Sequence, residues 1–303
     1  MSKILFTGAT GLVGSRVFEL FDGKQEFIPI SWKERDGFIT ADLTVFEDLN
    51  KKLANIDFEY IFHFAGFTAV DDAESQRGDK NGACYKLNVD ATANLVKIAK
   101  NKNARLIYIS SDFVFEGDSG PYNENSPTGQ MEKLSWYGWT KKLGEESVLG
   151  SDNNQVIRIA YPFRSSFEKG DFARDIIARM ENKTLYPLFN DQYLTPTFID
   201  NLSDFLKTSI SQDLKGVFHI ASTDTVTPFS FGQIINEVFG FNYSIAEGSI
   251  KKFQSDFPNK AKRPQNGGLK LTKLESIPFV PLSNLKAIKI LKTQIASQSA
   301  KIS

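Results

Sequence analysis

Tyr137 and Lys141 stand four residues apart in Trp136-Tyr137-Gly138-Trp139-Thr140-Lys141, within a predicted helix over 134–149. That spacing puts both side chains on one helix face. A phenol of ordinary pKa, about 10, donates protons poorly at neutral pH, but a neighbouring ammonium stabilises its phenolate and brings it toward working range. Tyr137 then suits a general acid. Leu106-Ile107-Tyr108-Ile109-Ser110-Ser111-Asp112 reads as a strand ending in hydroxyls, so Ser111 can hydrogen-bond a substrate carbonyl. At the N-terminus an apolar strand runs into Thr7-Gly8-Ala9-Thr10-Gly11-Leu12-Val13-Gly14, a GxxGxxG turn opening a helix. This is a dinucleotide pyrophosphate site: Gly8 permits the tight turn, Gly11 the approach of backbone to phosphate, and Gly14 close packing of helix on strand.

After the second strand, where NAD sites place an acidic residue for the ribose hydroxyls, the chain has Ser31-Trp32-Lys33-Glu34-Arg35. Lys33 and Arg35 lean toward a 2′-phosphate, with solvated loop charges as the other reading. Asp42, in Ala41-Asp42-Leu43, either faces an adenine amino group or caps a helix before Thr44. His63 reads as a satisfied core histidine and Cys84 as a small buried side chain. With His219 the only other histidine, a metal cluster is not expected.

These groups need a frame. Short apolar runs at 3–6, 27–30, 60–64, 105–109 and 156–159 alternate with helical segments at 11–21, 44–53, 82–100 and 134–149. The pattern predicts an α/β fold, a doubly wound parallel Rossmann sheet with a smaller mixed α/β substrate domain. The dinucleotide-binding domain is placed at 1–160, with 193–221 returning to extend its sheet, and the substrate domain at 161–192 and 222–303. A long surface loop is expected over 113–133, and a frayed polar tail over 293–303. The 36 basic and 36 acidic residues cancel, so no positive field draws the chain to nucleic acid. One cysteine, no signal-like apolar core and no membrane-length apolar run point to a cytoplasmic protein away from membranes.

The glycine turn with Ser111, Tyr137 and Lys141 resembles the short-chain dehydrogenase/reductase family in its extended, two-domain form. The likeness covers nearly the whole chain. It implies hydride transfer from NADPH or NADH, with Tyr137 protonating a carbonyl oxygen, Ser111 polarising it and Lys141 also binding the nicotinamide ribose. Phe67-Thr68-Ala69-Val70-Asp71-Asp72-Ala73-Glu74, Ser110-Ser111-Asp112-Phe113-Val114-Phe115-Glu116-Gly117, Pro121-Tyr122-Asn123-Glu124, Gly144-Glu145, Asp191-Gln192 with Thr195-Pro196-Thr197, and Arg263-Pro264 are most similar to its nucleotide-sugar reductases. Those reduce the 4-keto group of a nucleotide-linked deoxysugar. The resemblance implies cofactor contacts from Gly8, Thr10, Gly11, Leu12, Val13, Gly14, Ser31, Lys33, Asp42, Leu43, Ala65, Gly66 and Thr68, besides Tyr137 and Lys141. It implies substrate contacts from Val70, Asp112, Phe113 and Arg263, the last as a charged fork on diphosphate or an ordinary ion-pair partner. The family's dehydratases carry an Asp-Glu pair where Asp112 is followed by Phe113, so Asp112 is expected to brace its loop. Ser111 in place of the usual Thr, Tyr193-Leu194-Thr195 without a glycine, and the extra ring of Trp139 leave the sugar open. A nucleotide-binding regulatory subunit and a nucleotide-sugar epimerase are the alternatives, and a homodimer is left open.

Overall fold

The computed structural model describes residues 2–21, 23 and 25–302, the last four as backbone only. Among these, seven strands form one parallel sheet: β1 (Ser2–Thr7), β2 (Gln25–Ser31), β3 (Ile39–Thr40), β4 (Tyr60–His63), β5 (Arg105–Ser111), β6 (Gln155–Ile159) and β8 (Gly216–His219), in the order β3-β2-β1-β4-β5-β6-β8. β7 (Leu188–Phe189) pairs separately with β9 (Glu247–Gly248). Alternation along the strands explains the sheet's two apolar faces. Phe6, Phe62, Ile107, Ile109 and Ile157 pack under α1 (Leu12–Leu20) and α8 (Ile199–Ser211). Leu5, Ile61, Leu106, Tyr108 and Val156 face α2 (Phe46–Leu53), α5 (Ala91–Lys102) and α6 (Trp136–Leu149). Strands covered on both faces can be apolar throughout, as these are. The order reverses direction between β1 and β4, and in such sheets the crevice beyond the strands' carboxyl ends binds ligands.

The expected helix over 82–100 is broken. α3 (Val70–Glu74) is followed by α4 (Ala83–Tyr85), one wide π-turn at Lys86–Asp90, and only then α5. α2 starts at Phe46, because the Asp42 carboxylate accepts from the Thr44 backbone N–H (2.9 Å) and hydroxyl (2.8 Å) and holds that residue in a turn. The stretch 113–133 is irregular but not a surface loop. Val114, Phe115 and Tyr122 are buried, the last two stacked at 4.3 Å, and the Tyr122 hydroxyl accepts from the backbone N–H groups of Gly117, Asp118 and Ser119.

A second core joins α7 (Phe172–Glu181), α9 (Pro228–Phe239) and α11 (Asn284–Ile302) around Phe163, Ile177, Phe231, Ile288 and Leu291, with α10 (Ile250–Asp256) beside it. The tail read as frayed is therefore helical through Ile302, and the Gln294 amide donates to Asp200 (2.6 Å) on α8; Ser303 lies outside the described residues. Buried Arg164, next to Phe163 of this core, donates to Ser15 and Glu19 of α1, while Arg16 on α1 pairs at 2.6 Å with the same Asp200 that takes the Gln294 amide.

His63 ends β4 with both ring nitrogens used. The Thr92 hydroxyl donates to the Asn88 carbonyl (2.8 Å), so it must accept from His63 Nε2 (3.0 Å), leaving Nδ1 to accept from Thr7 (2.8 Å). This neutral ring thus anchors the end of β1 just before the glycine turn. Burial lowers the pKa of His63 to about 3, and burial beside Arg158 does the same for His219. The unfolded chain binds these two protons below about pH 6.5, and the folded chain does not until about pH 3. These two histidines therefore remove stability as pH falls through that window, a loss the raised carboxyl of Asp112 offsets in part. Urea midpoints measured at pH 7.5, 5.5 and 4.5 should decline stepwise, and the decline should shrink in His63→Gln.

Candidate active site

β1 delivers the chain into a cradle that only glycine fits. Gly8 has φ +74°, and a Cβ there would lie 2.5 Å from Ala65 N; one on Gly14 would lie 2.2 Å from the Gly8 carbonyl oxygen. Gly11 begins α1 with no side chain capping the helix, so the first N–H groups of Leu12 and Val13 stay free beside exposed Thr10 and Gly11. An uncapped helix start carries partial positive charge and suits a pyrophosphate. Ala65 and Gly66 follow β4 along the same rim, Ala65 N donating to Thr7 Oγ1 at 3.3 Å. A Cβ on Gly66 would sit 3.0 Å from Asn88 Oδ1 and 3.9 Å from Lys141 Nζ, so this glycine joins the cradle to the catalytic candidates. Thr68 is exposed just beyond.

On the other side of the cradle Ser31 ends β2, accepting from the Lys33 N–H at 3.2 Å, while the Lys33 ammonium lies 4.6 Å over the exposed Trp32 ring. Asp42 does not cap α2, whose N-cap is Val45; its carboxylate holds the turn at Thr44 that precedes the helix. The Leu43 side chain is a core residue, and its carbonyl accepts from Asn94.

Ser111 is the last residue of β5 and caps a 3₁₀ turn at Asp112–Val114, its Oγ accepting from Phe113 N and donating to Asp112 Oδ1 at 3.0 Å. Tyr137 is the second residue of α6, whose start Ser135 caps through Gly138 N (3.1 Å). A Cβ on Gly138 would fall 2.1 Å from the Phe113 carbonyl oxygen, so glycine lets the helix press onto the strand-end turn. The Phe113 ring meets Tyr137 edge-on at 5.5 Å, the Ser111 hydroxyl stabilises the ionised phenol, and Val70 packs on the same cluster. Trp139 joins that cluster as well.

The electrostatics correct one expectation. Burial, with the Asp112 charge nearby, drives the Tyr137 phenol well above its ordinary pKa rather than below it. Lys141 does not counter this, because its Nζ donates to the Ile109 carbonyl at 2.6 Å. Burial lowers the Lys141 ammonium to about 7, against the opposing pull of Glu145. Asp112 braces its turn as expected, yet burial also raises its carboxyl to about 7 despite the Ser111 hydrogen bond. Arg263 reaches the rim engaged: it donates to Asp71 Oδ2 (2.9 Å), next in the chain to Val70, and to the Ala261 carbonyl.

Two residues escaped the sequence reading. Asn88, at the centre of the π-turn, accepts from Phe67 N (2.9 Å) and donates to Thr140 Oγ1 (3.0 Å), tying the cradle's rim to the helix of Tyr137 and Lys141. Its only trace in the sequence is an amide inside an otherwise plausible helix. Tyr161, beyond β6, holds φ +42° and accepts from Gln192 at 3.0 Å, with burial and Asp112 raising its phenol. Among the described residues no group of three His, Cys, Asp or Glu side chains could hold a metal, and no helix is long and apolar enough to cross a membrane.

A Rossmann sheet whose switch-point cradle adjoins a strand-end hydroxyl and a Tyr/Lys helix defines the extended short-chain dehydrogenase/reductase class. Within it, the chain belongs to the RmlD substrate binding domain family, whose model matches residues 2–292. The dTDP-4-dehydrorhamnose reductase of Aggregatibacter actinomycetemcomitans is 26% identical, covering 91% of this chain and 92% of the relative. The methionine adenosyltransferase 2 subunit beta of Bos taurus is 28% identical over 91% and 82%. The crystal structure of the Bacillus anthracis dTDP-4-dehydrorhamnose reductase in complex with NADP superposes with a TM-score of 0.84 at 22% identity, covering 97% of this chain and 99% of that one.

Asn88→Ala would leave the Phe67 N–H without its acceptor and cut the tie to Thr140, whose hydroxyl keeps its bond to the Tyr137 carbonyl. Urea unfolding should show a loss of about 1–3 kcal/mol, the usual cost of an unsatisfied buried group, and NADPH titration should show weaker binding.

Proposed function

We propose that this protein is an NAD(P)H-dependent reductase acting on the 4-keto group of a nucleotide-linked deoxysugar, as the name of its dTDP-4-dehydrorhamnose reductase relatives describes. The observation that carries the reading is that Ser111, Tyr137 and Lys141 are buried together at the carboxyl end of β5, with the Lys141 ammonium on the Ile109 carbonyl and beside Gly66 of the glycine cradle's rim. NADPH or NADH is the cofactor, held by Gly8, Thr10, Gly11, Leu12, Val13 and Gly14 at the diphosphate, Ser31 and Lys33 at the adenosine end, and Ala65, Gly66 and Thr68 along the rim. The dinucleotide unit comprises 1–160 and 193–221, the rest forming the substrate unit. The compartment is the cytoplasm, in keeping with a single, buried, unpaired thiol.

The bound dihydronicotinamide supplies the hydride. Ser111 donates to the substrate carbonyl, and Tyr137 gives its proton to that oxygen as it becomes an alkoxide, a far stronger base than the carbonyl. A phenol held above its ordinary pKa keeps this proton loaded until then. Lys141 binds the nicotinamide ribose. Val70, Asp112 and Phe113 border the sugar, and Arg263, drawn from Asp71, meets the diphosphate.

Loss of reduced-nicotinamide absorbance with a panel of 4-keto nucleotide sugars tests the activity. Stoichiometric consumption is expected; recycling without net consumption would indicate epimerisation, and binding without oxidation a regulatory subunit. Tyr137→Phe should lower turnover about 10²- to 10⁴-fold, the usual general-acid contribution.

A further inference from the structure

Tyr108 lies within β5, fully buried on the face covered by α5 and α6. The Lys141 ammonium sits 3.9 Å from the centre of its ring while donating to the next residue's carbonyl, that of Ile109. At such a distance the negative face of an aromatic ring attracts a cation, most strongly away from water. The helix is shaped for this contact. Gly144 stands three residues after Lys141, and a Cβ there would fall 2.5 Å from the Tyr108 hydroxyl oxygen, so glycine lets the ring slide beneath α6.

An ammonium has three N–H groups to satisfy, and a buried one has no bulk water to turn to. The charged and titratable groups around Lys141 are few. Glu145 on α6 favours its charge, the Cys84 thiol on α4 and His63 on β4 are neutral, and Tyr137 on its own helix holds its proton. The Tyr108 ring is thus the surface against which the ammonium rests.

The geometry points to Tyr108 as a positioning residue, whose ring face seats the Lys141 ammonium at the carboxyl end of β5. This rests on the reading of Lys141 as the group that holds the nicotinamide ribose. An aliphatic side chain there would bury apolar surface but give the ammonium no seat.

The test follows Lys141 directly, by NMR titration of the full-length protein carrying ¹³C-labelled lysine, with the resonance assigned by Lys141→Met. In Tyr108→Leu the Lys141 midpoint should fall by about one pH unit, the size of a desolvated cation–π contact. KM for NADPH should rise by roughly tenfold, the same free energy read in binding. Tyr108→Phe, which keeps the ring, should restore both. A series of fluorinated phenylalanines at position 108 drains the ring's negative face with little change of shape, so the midpoint should fall with each added fluorine even where the leucine variant does not fold. A midpoint indifferent to fluorination, or a folded leucine variant titrating like the wild type, would overturn the proposal. If the midpoint tracks the ring while no keto sugar is reduced, the seat stands and the catalytic reading falls.

Discussion

The start of α6 lies against the turn that ends β5, and the chemistry of the protein depends on that approach. A side chain at Gly138 would strike the Phe113 carbonyl, and one at Gly144 would strike Tyr108. Both glycines lie on the helix that carries Tyr137 and Lys141. They let it settle until the Tyr137 ring meets Phe113 of the strand-end turn and the ammonium reaches the Ile109 carbonyl. Close packing of this kind tolerates little change in volume, which makes the spacing of the reacting groups a property of the whole interface.

Water exclusion then decides protonation. Ser111, Asp112, Tyr137 and Lys141 are each less than a tenth exposed. Desolvation disfavours every charged form among them, raising Tyr137 and Asp112 and lowering Lys141. A helical Tyr and Lys four apart suggests an ammonium that acidifies a phenol. Buried as it is, the phenol instead holds its proton and the amine's charge is directed to a backbone carbonyl. The same exclusion keeps His63 neutral, and a neutral imidazole can bridge Thr7 and Thr92 without a counter-ion.

Much of this was legible in the chain. The five apolar runs became strands, because short apolar runs set between helical segments suit strands covered on both faces. The glycine turn was legible since each glycine answers a steric demand local to a dozen residues. The π-turn at Lys86–Asp90 was not, because its cause is the pairing of Asn88 with Phe67 and Thr140, which lie 21 and 52 residues away. The burial of Phe115 and Tyr122 inside a Gly- and Pro-rich stretch escaped for the same reason, as did the docking of the polar tail through Gln294.

By itself the sequence determined the sheet, the cradle and the identity of the hydroxyl, phenol and amine, since these follow from residue type and short-range periodicity. The tertiary structure alone decided which protons those groups hold, which partner Arg263 takes, and how Asn88 and Tyr108 support the rest. Those outcomes depend on desolvation and on contacts between segments distant in the chain, and both arise only when the helices close over the sheet.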